Sequence, residues 1–401
     1  MLRHLPPTAS PLSIATLARA VGASSGAQND FRRALREYLG TREVFLASSG
    51  RTALYLLFKS LIPQADGGRC EVVMPAYTCP SLVKVVDESG LIPIFVDVSP
   101  HTLAMEEEAL EREVGGETLA IIVVHPFAIP HPLDYPQHLA KYFGAVVIED
   151  AAQALGARVG GRPVGVRGDF GLFSLGPGKP ISAGGGGIVC TADEDLARRL
   201  AQAWEALPPT SRMDSALAVA RLEAMTAAFQ PQGWWLATRL GLHKIGDQET
   251  SWGFQITGLT DAQAAVGREQ LSRLDGINGR RRANAARLMQ LLGGADFVHV
   301  PSPYPLDGGD VEPGFLRLPL ILDSEERRDA LFQTLWDAGI GAGKMYKRTL
   351  AEFFPHYALT DYPGAHAVSR RLLTLPTHHY LRETDFECIA AALEEVGGES
   401  V

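Results

Sequence analysis

The chain has 401 residues, of which 46% are hydrophobic and 21% charged, and its formal net charge is -9 at pH 7. This acidic balance argues against a nucleic-acid-binding surface, which would be basic. Four scattered cysteines argue against a disulfide framework or a zinc site, and no window approaches the roughly 20 apolar residues that a membrane span requires. Prolines interrupt the N-terminal stretch where a signal peptide needs its apolar run, so we expect a globular, cytoplasmic protein.

Short apolar runs alternate with helix-like stretches after an N-terminal segment, which we place at residues 1–29. The runs are rich in Val and Ile and lack strict polar alternation, as is typical of strands covered on both faces. This alternation predicts an α/β domain whose mostly parallel central sheet is flanked by helices. The runs are EVFLAS (43–48), EVVMPAY (71–77), IPIFVDV (92–98), LAIIVVHPF (119–127), AVVIEDAA (145–152), FGLFSLG (170–176) and GGIVCT (186–191).

The second half of the chain has a different pattern of helices, strands and loops. Leu, Ala and Arg at helical spacing predict a helical segment over about 192–250, and we place the large domain at residues 30–255. From residue 297 onward, loops rich in Pro and Gly separate the short strands FLRLPLIL and LLTLP from helices at about 324–338 and 383–396. We therefore predict linking helices and a smaller C-terminal α+β domain over residues 256–401.

One lysine, Lys179, sits in the glycine-rich stretch GLFSLGPGKPISAGGGGIV. A phosphate-binding P-loop does not fit, because Phe173 replaces the required Gly and Pro180 the required Ser or Thr. The apolar surroundings also differ from those of a surface lysine. A poorly solvated lysine has a lowered pKa and a nucleophilic neutral amine, so the stretch predicts Schiff-base chemistry with a carbonyl compound.

A pair of carboxylates, Glu149 and Asp150, ends the predicted strand in AVVIEDAAQALGA. Strand alternation directs these side chains to opposite faces, so only one of them can face a given pocket. Ligands of open α/β sheets bind at the carboxyl ends of strands, where Asp150 could keep a pyridine nitrogen protonated. Capping of the following segment is the alternative role for this aspartate.

The stretch LASSGRTALYLLF turns from a strand into a helix through Ser49 and Gly50. The backbone N–H groups at such a helix start form an anion site, although simple capping by Ser49 would give the same pattern. Together with Lys179 and Asp150, the stretch offers a phosphate cradle, a pyridinium partner and an aldehyde-capturing amine. Pyridoxal 5′-phosphate (PLP) needs all three.

These stretches resemble the DegT/DnrJ/EryC1/StrS family of PLP-dependent sugar aminotransferases, whose fold is the aspartate aminotransferase-like fold type I. The resemblance implies that Lys179 is the Schiff-base lysine and that Asp150 is the partner of the pyridine nitrogen. It also implies the other cofactor contacts, which are Gln153 at the ring hydroxyl and Ser174, Gly50 and Arg51 at the phosphate. The resemblance is carried by SSGRTAL, VMPAYTCPSLVKVV, VVIEDAAQALGARVGGRPVGVRGDFGLFSLGPGK and LTDAQAAVGREQLSRLD.

Several positions depart from the family pattern, and three of them are predicted cofactor contacts. Arg51 replaces a threonine, so its guanidinium either strengthens anion binding or points away while the backbone serves. Cys79 stands where an aromatic residue often stacks on the cofactor ring, and Tyr77 is a candidate substitute. Gln255 is the nearest match to the asparagine that reaches the neighbouring subunit's phosphate site.

Two residues are candidates for substrate contact. His125 ends a strand near the expected pocket, although a histidine satisfied by the backbone is an equal alternative. Tyr346 lies in a segment that approaches the active site in the family. No spacing of His, Cys, Asp or Glu predicts a metal site.

The resemblance implies transfer of an amino group from glutamate or glutamine to the keto group of a nucleotide-linked deoxysugar, in a homodimer with the active site at the subunit interface. Family members that act as dehydratases carry histidine at the lysine position, so Lys179 favours transamination. A cyclitol or other non-sugar ketone as acceptor, a dehydratase, and a non-catalytic PLP-binding regulatory protein remain alternatives.

Overall fold

The computed structural model describes residues 3–10, 12, 16, 22–23, 25–62, 68–241, 253–293, 295–305 and 310–398. Its strands are β1 (Glu43–Ala47), β2 (Glu71–Pro75), β3 (Ile92–Val96), β4 (Thr118–Val124), β5 (Val146–Asp150), β6 (Arg158–Val159), β7 (Arg162–Pro163), β8 (Phe170–Ser174), β9 (Gly187–Thr191), β10 (Val298–His299), β11 (Val311–Glu312), β12 (Arg317–Leu322) and β13 (Leu372–Pro376).

The helices of the large domain are α1 (Ala27–Leu39), α2 (Gly50–Leu61), α3 (Ser81–Glu88), α4 (Glu107–Glu113), α5 (Asp134–Phe143), α6 (Glu194–Glu205), α7 (Arg212–Ala228) and α8 (Pro231–Arg239). Those that follow are α9 (Asp261–Leu271), α10 (Leu274–Leu291), α11 (Glu325–Asp337), α12 (Leu350–Phe353), α13 (Pro363–Arg371) and α14 (Glu383–Gly398). Single 3₁₀ turns lie at Pro126–Ala128 and Pro355–Tyr357.

The central sheet has seven strands in the order β1-β9-β8-β5-β4-β2-β3. Only β9 runs antiparallel to its two neighbours, and the other pairs are parallel. The seven predicted strands and the mostly parallel sheet are therefore confirmed. Because β1 and β8 are both antiparallel to β9, the carboxyl ends of β1, β2, β4, β5 and β8 meet at one edge, where α/β sheets bind ligands.

Both faces of this sheet are buried, which explains the unbroken apolar runs of the sequence. In β2, Val72 and Met74 pack in one core with Phe58 of α2, whereas Val73 packs in another core with Leu110 of α4. Successive side chains of a strand point to opposite faces, so a strand covered on both sides needs apolar residues at every position.

The predicted helical segment at about 192–250 is helical over α6, α7 and α8, and residues 242–252 of the chain lie outside the described residues. Helix α7 packs on the glycine-rich stretch that follows Lys179. A Cβ atom at Gly184 would lie 3.4 Å from the backbone of Leu222, which is itself buried. The helix can approach the loop this closely because Gly184 has no side chain.

The C-terminal part forms the predicted α+β unit. Its antiparallel sheet has the order β10-β12-β13 and is covered by α11 and α14, close to the predicted bounds. Leu318, Leu335 and Ile389 lie in its core. Helix α10 joins the two parts, because it begins in a core of the large domain and its residue Leu288 packs in the C-terminal core. The division of the chain at residue 255 stays a prediction.

Residues 3–10 form an extended strap across the C-terminal unit. Arg3 makes two hydrogen bonds to the carboxylate of Asp385, at 2.6 and 2.8 Å, and Leu5 is fully buried in the C-terminal core. The strap ends at the loop of the predicted Schiff-base lysine, where Ser10 Oγ donates to the carbonyl oxygen of Lys179 at 2.8 Å. Across the described ranges, no helix has the length and hydrophobicity that a membrane crossing would need.

Candidate active site

Lys179 lies in the loop that leaves β8 at the carboxyl edge of the sheet and is partly exposed. Loss of hydration lowers the pKa of its amine, an effect that Arg317 reinforces and that Cys79 and Asp150 oppose. Gly178 has a φ of 71°, and a Cβ there would lie 2.6 Å from the methyl group of Thr8. The tight loop thus holds a lysine whose neutral amine is more populated than in water.

Asp150 ends β5 and faces this lysine. The residue is buried, with 7% of its surface exposed, and burial raises the pKa of its carboxyl group, while the backbone N–H of Ala152 and the charge of Lys179 oppose the rise. Its Oδ1 atom accepts from the N–H of Ala152 at 3.0 Å, whereas Oδ2 accepts no hydrogen bond from any residue in the described ranges. Asp150 and Lys179 thus lie close enough for their charges to interact, and their pairing in one cofactor pocket stays a prediction.

Glu149 points to the opposite face, as strand alternation predicts. Its two oxygens accept from the backbone N–H groups of Gly165 (2.9 Å), Arg167 (2.5 Å) and Gly168 (2.8 Å). Burial works against its charge, but these bonds and that of His125 lower the pKa of Glu149 to about 2. Glu149 is thus a buried anion that holds the loop beside β5, away from the pocket.

The side chain of His125 is held by hydrogen bonds within the protein. Its side chain is fully buried, Nε2 lies 3.1 Å from a carboxylate oxygen of Glu149, and Nδ1 accepts the backbone N–H of His131 at 2.9 Å. These partners assign the proton to Nε2. The predicted substrate contact is not supported by this geometry, because both ring nitrogens are used and no ring atom is exposed. The alternative of a histidine satisfied within the protein fits instead.

The predicted phosphate cradle lies where β1 and β8 end. Ser49 caps α2 by accepting the N–H of Thr52 at 3.1 Å, so the capping alternative holds for Ser49 itself. A Cβ atom at Gly50 would lie 3.5 Å from Cβ and 3.6 Å from Oγ of Ser174. Since Ser174 Oγ accepts the N–H of Gly176 at 3.2 Å, its hydroxyl proton is available for an anion.

Arg51 and Gln255 lie beside this cradle. The Arg51 guanidinium is 6.0 Å from the centre of the Phe254 ring, a cation–π contact that directs it toward the 254–255 loop. The backbone carbonyl of Gln255 accepts from Ser48 at 3.0 Å and from Thr52 at 2.9 Å, while its side chain is exposed. The geometry favours backbone N–H groups over the Arg51 side chain as the anion donors of α2.

Cys79, Tyr77 and Tyr346 form a cluster, and Cys79 lies close enough to Lys179 for their charges to interact. Cys79 Sγ lies 3.0 Å from Ser81 Oγ and hydrogen-bonds the Tyr346 hydroxyl, and burial, Cys79 and Tyr77 all raise the pKa of Tyr346. The Tyr77 hydroxyl donates to the carbonyl oxygen of Met345, and its ring meets that of Tyr346 edge to face at 5.8 Å. The hydroxyl group of Tyr77 is therefore occupied by the 345–346 segment, and Tyr346 is hydrogen-bonded to Cys79.

Gln153 follows β5 in the turn that begins at Ala151. Its Oε1 atom accepts the backbone N–H of Phe127 at 3.1 Å, which orients the side chain. The amide nitrogen donates to no residue in the part of the chain that the structure describes. A donor fixed in this way fits the predicted contact with a ring hydroxyl.

Sequence reasoning missed two features of this pocket. Arg317, the first residue of β12, comes close enough to Lys179 and Tyr346 for their charges to interact. The strap residues Thr8 and Ser10 contact the backbone of Gly178 and Lys179. An arginine that opens the apolar strand FLRLPLIL was a signal for the first, whereas no local pattern marks the strap.

The donor set fits PLP. A free Asp150 oxygen suits a pyridinium N–H, the Gln153 amide suits the ring hydroxyl, and the Gly50–Ser174 cradle suits a phosphate. The amine of Lys179 completes the set. Among the described residues, no cluster of three or more His, Cys, Asp or Glu side chains has an arrangement that could hold a metal ion.

The family model described as "DegT/DnrJ/EryC1/StrS aminotransferase family" matches residues 16–394. The chain belongs to this family. It is a PLP-dependent aminotransferase of fold type I, so the predicted family, fold, enzyme class and cofactor are confirmed.

Solved structures of similar proteins agree with this assignment. The sugar aminotransferase CalS13 from Micromonospora echinospora is 26% identical, with a TM-score of 0.77, and the match covers 98% of this chain and 99% of that chain. DesV from S. venezuelae, in complex with a ketimine intermediate, is 26% identical, with a TM-score of 0.75 and coverage of 96% and 94%. A family aminotransferase from Brucella abortus is also 26% identical, with a TM-score of 0.74 and coverage of 96% and 95%.

Proposed function

We propose that this aminotransferase moves an amino group from glutamate or glutamine to the keto group of a nucleotide-linked deoxysugar. The observation that carries the proposal is the charge interaction of Lys179 with the buried Asp150, together with the close approach of Gly50 to Ser174. The sugar acceptor rests on similarity to proteins such as CalS13, which is described as a sugar aminotransferase.

The proposal gives each polar end of the cofactor a partner in the protein. Ser174 and the N–H groups at the start of α2 would hold the phosphate, Asp150 the pyridine nitrogen and Gln153 the ring hydroxyl. When bound, PLP supplies an aldehyde for amine capture and a ring that withdraws electrons. A buried carboxylate beside the ring nitrogen favours the protonated, electron-withdrawing form of that ring.

Lys179 carries the proton transfer. Its lowered pKa leaves part of the amine neutral, so it can take the proton from the α-carbon of a bound amino donor. Asp150 raises and Arg317 lowers the pKa of this amine, and the loss of hydration lowers it most. The net lowering makes the amine a readier proton acceptor than its charged form alone would be.

We also propose that the chain acts as a homodimer with the active site at the subunit interface. The support is the position of the 253–257 loop, where the exposed Gln255 lies on a backbone that hydrogen-bonds Ser48 and Thr52. A second copy that covers this loop would close the phosphate end of the pocket. Sedimentation velocity of the PLP-loaded protein tests this, and a monomer at micromolar concentration would contradict it.

The test of the reaction is the absorption spectrum of PLP-loaded protein before and after glutamate, beside Lys179→Ala and the exposed control Arg371→Gln. We expect a visible band in the wild type and in the control, its conversion to a near-ultraviolet band by glutamate or glutamine, and no such band in Lys179→Ala. A keto-deoxysugar nucleotide should then restore the visible band.

The outcomes separate the parts of the proposal. A missing visible band in the wild type would exclude Lys179 as the site of amine capture. A band that neither glutamate nor glutamine converts would exclude these donors. Recovery of the band with a cyclitol ketone and not with any keto-deoxysugar nucleotide would replace the proposed acceptor class.

A further inference from the structure

We propose that Thr8 and Ser10 of the N-terminal strap are positioning residues for Lys179, because their hydroxyl groups hold the backbone on either side of that lysine. The inference rests on the proposed function, in which the amine of Lys179 captures PLP. It adds a part played by a segment that is remote in sequence from every predicted site residue.

The two hydroxyl groups contact consecutive carbonyl groups of the lysine loop. Thr8 Oγ1 donates to the carbonyl oxygen of Gly178 at 3.4 Å, and Ser10 Oγ donates to that of Lys179 at 2.8 Å. These carbonyl groups belong to the two planar peptide groups that flank the Cα atom of Lys179. The orientation of the two planes sets the direction of the Cα–Cβ bond, and therefore the direction in which the lysine side chain leaves the backbone.

The loop needs such support because it has little regular structure of its own. Residues 175–185, all of which lie within the described ranges, belong to no helix or strand. The backbone N–H of Lys179 donates to Gly176 over a long 3.4 Å, and Gly178 has a φ of 71°. A lysine amine sits on a flexible four-carbon stem, so a precise amine position requires a fixed backbone beneath it.

The strap has anchors that do not involve the lysine loop. Nε2 of His378 donates to the carbonyl oxygen of Pro6 at 2.8 Å, and the backbone N–H of Leu5 donates to that of Gly339 at 2.8 Å. Both partners belong to the C-terminal unit. We therefore expect the strap to keep its course when a single hydroxyl contact to the loop is removed.

Arg281 of α10 holds the strap between its two hydroxyl residues. Its Nη2 atom donates to the carbonyl oxygen of Ala9 at 3.3 Å, and its Nη1 atom donates to Oδ1 of Asn278 at 3.0 Å. Asn278 in turn donates to the carbonyl oxygen of Leu155 at 3.1 Å, two residues after Gln153. The strap thus joins the lysine loop to the turn that follows β5, which carries the predicted contact to the ring hydroxyl.

The experiment measures how fast cofactor-free full-length protein forms its visible band with PLP, as a function of PLP concentration, by stopped-flow absorbance. The variants are Ser10→Ala, Thr8→Val and the combination of the two, with Ser10→Thr as the conservative change. Valine keeps the methyl group that packs against Gly178 and removes the hydroxyl. Ser25→Ala, an exposed change of the same type, is the control, and thermal unfolding is recorded for every protein.

We expect Ser10→Ala to lower the saturating rate about 3- to 10-fold, the range for one lost hydrogen bond, at an unchanged half-saturating PLP concentration. That concentration should stay constant because the contacts proposed for the phosphate and the ring hydroxyl lie outside the strap. Thr8→Val should lose less, since its bond is longer, and the double variant should lose most. Ser10→Thr should recover most of the rate, and Ser25→Ala should match the wild type.

Three results would overturn the inference. The first is a wild-type saturating rate in Ser10→Ala and in the double variant, whether or not their melting temperature falls, because the strap would then serve stability alone. The second is a higher half-saturating PLP concentration at an unchanged saturating rate, which would assign the strap to cofactor binding. The third is a rate in Ser10→Thr as low as that in Ser10→Ala, which would exclude the hydroxyl group as the cause.

These outcomes are distinct from failure of the proposed function. If the wild type forms no visible band with PLP, capture by Lys179 fails, and the role of the strap fails with it. If the wild type forms the band and the strap variants form it equally fast, only the positioning role of Thr8 and Ser10 fails.

Discussion

Glu149 and Asp150 are consecutive residues with opposite pKa shifts, because they lie on opposite faces of β5. Hydrogen bonds from a loop lower the pKa of Glu149 to about 2, whereas burial in the pocket raises that of Asp150. One carboxylate therefore organises the structure next to the site, and the other remains available to the cofactor. The opposite pKa shifts and the different roles of the two carboxylates both result from their consecutive positions at the end of β5.

Glu149→Gln should destabilise the fold by about 3–5 kcal/mol, the cost of disrupting a buried ion's hydrogen bonds. Gly165 and Gly168 donate to different oxygens of the carboxylate, so the single NH2 group of the amide would oppose one of these two backbone N–H groups. Urea unfolding of the variant measures the loss. Glu108→Gln, an exposed change of the same type, is the control and should lie within about 0.5 kcal/mol of the wild type.

The wild type and Glu149→Gln also test how the stability of the fold depends on pH. The folded pKa of Glu149 is depressed from 4.5 to about 2, so its stabilisation is complete above pH 4.5 and is lost as the pH falls toward 2. That difference corresponds to about 3 kcal/mol. The gap in unfolding free energy between wild type and Glu149→Gln should therefore narrow over this window, and a constant gap would refute the assigned shift.

The pH profile of PLP capture should move in opposite directions in two variants. Asp150 raises and Arg317 lowers the pKa of Lys179, and only the neutral amine attacks an aldehyde. Asp150→Asn should shift the midpoint of the rate of band formation to lower pH, and Arg317→Gln should shift it to higher pH. Stopped-flow absorbance measures the rates, with Arg371→Gln as the unshifted control. A common midpoint in all four proteins would contradict the prediction.

Ser174→Ala should weaken PLP binding about 10- to 100-fold, because it removes a hydroxyl donor to a charged phosphate. Pyridoxal, which lacks the phosphate, should bind the variant and the wild type equally. Absorbance titrations with the two ligands give the comparison. An equal loss for both ligands would show that the change acts through the loop at Gly176 and not through the phosphate.

Gly341→Ala should displace the N-terminal strap at a cost of about 1–3 kcal/mol, the usual range for overpacking. Its new Cβ atom would lie within 2.6 Å of the backbone of Pro6 and Pro7. Thermal unfolding and limited proteolysis after Arg3 report the effect. Gly276→Ala is the matched control, since a Cβ there meets nothing within 4 Å and alanine favours the helix. Equal stability of the two variants would mean that the strap is not held at Gly341.

The sequence was most informative where residues close together in the chain decide the local structure. The apolar runs predicted every strand of the central sheet, since a strand buried on both faces needs apolar residues throughout. Alternation alone separated Glu149 from Asp150. The apolar and glycine-rich surroundings of Lys179 predicted a reactive loop, because poor solvation lowers the pKa of an amine.

His125 illustrates what such patterns leave undecided. A histidine at a strand end is compatible with substrate contact and with internal hydrogen bonds, and the choice depends on the 165–168 loop that brings Glu149 to it. The side-chain direction of Arg51 likewise depends on Phe254, which lies about 200 residues away in the chain. Neither partner is a neighbour in sequence.

The sequence by itself determined the α/β architecture, because local periodicity specifies it, and residue chemistry in the same stretches predicted the capture lysine and its pyridine partner. Only the tertiary structure brought Arg317 from the C-terminal unit to Lys179, and laid residues 3–10 against the same loop. Such contacts join segments more than one hundred residues apart. The positions of these segments depend on how the cores of the large domain and of the C-terminal unit pack together. The residues that determine this packing are spread over the whole chain.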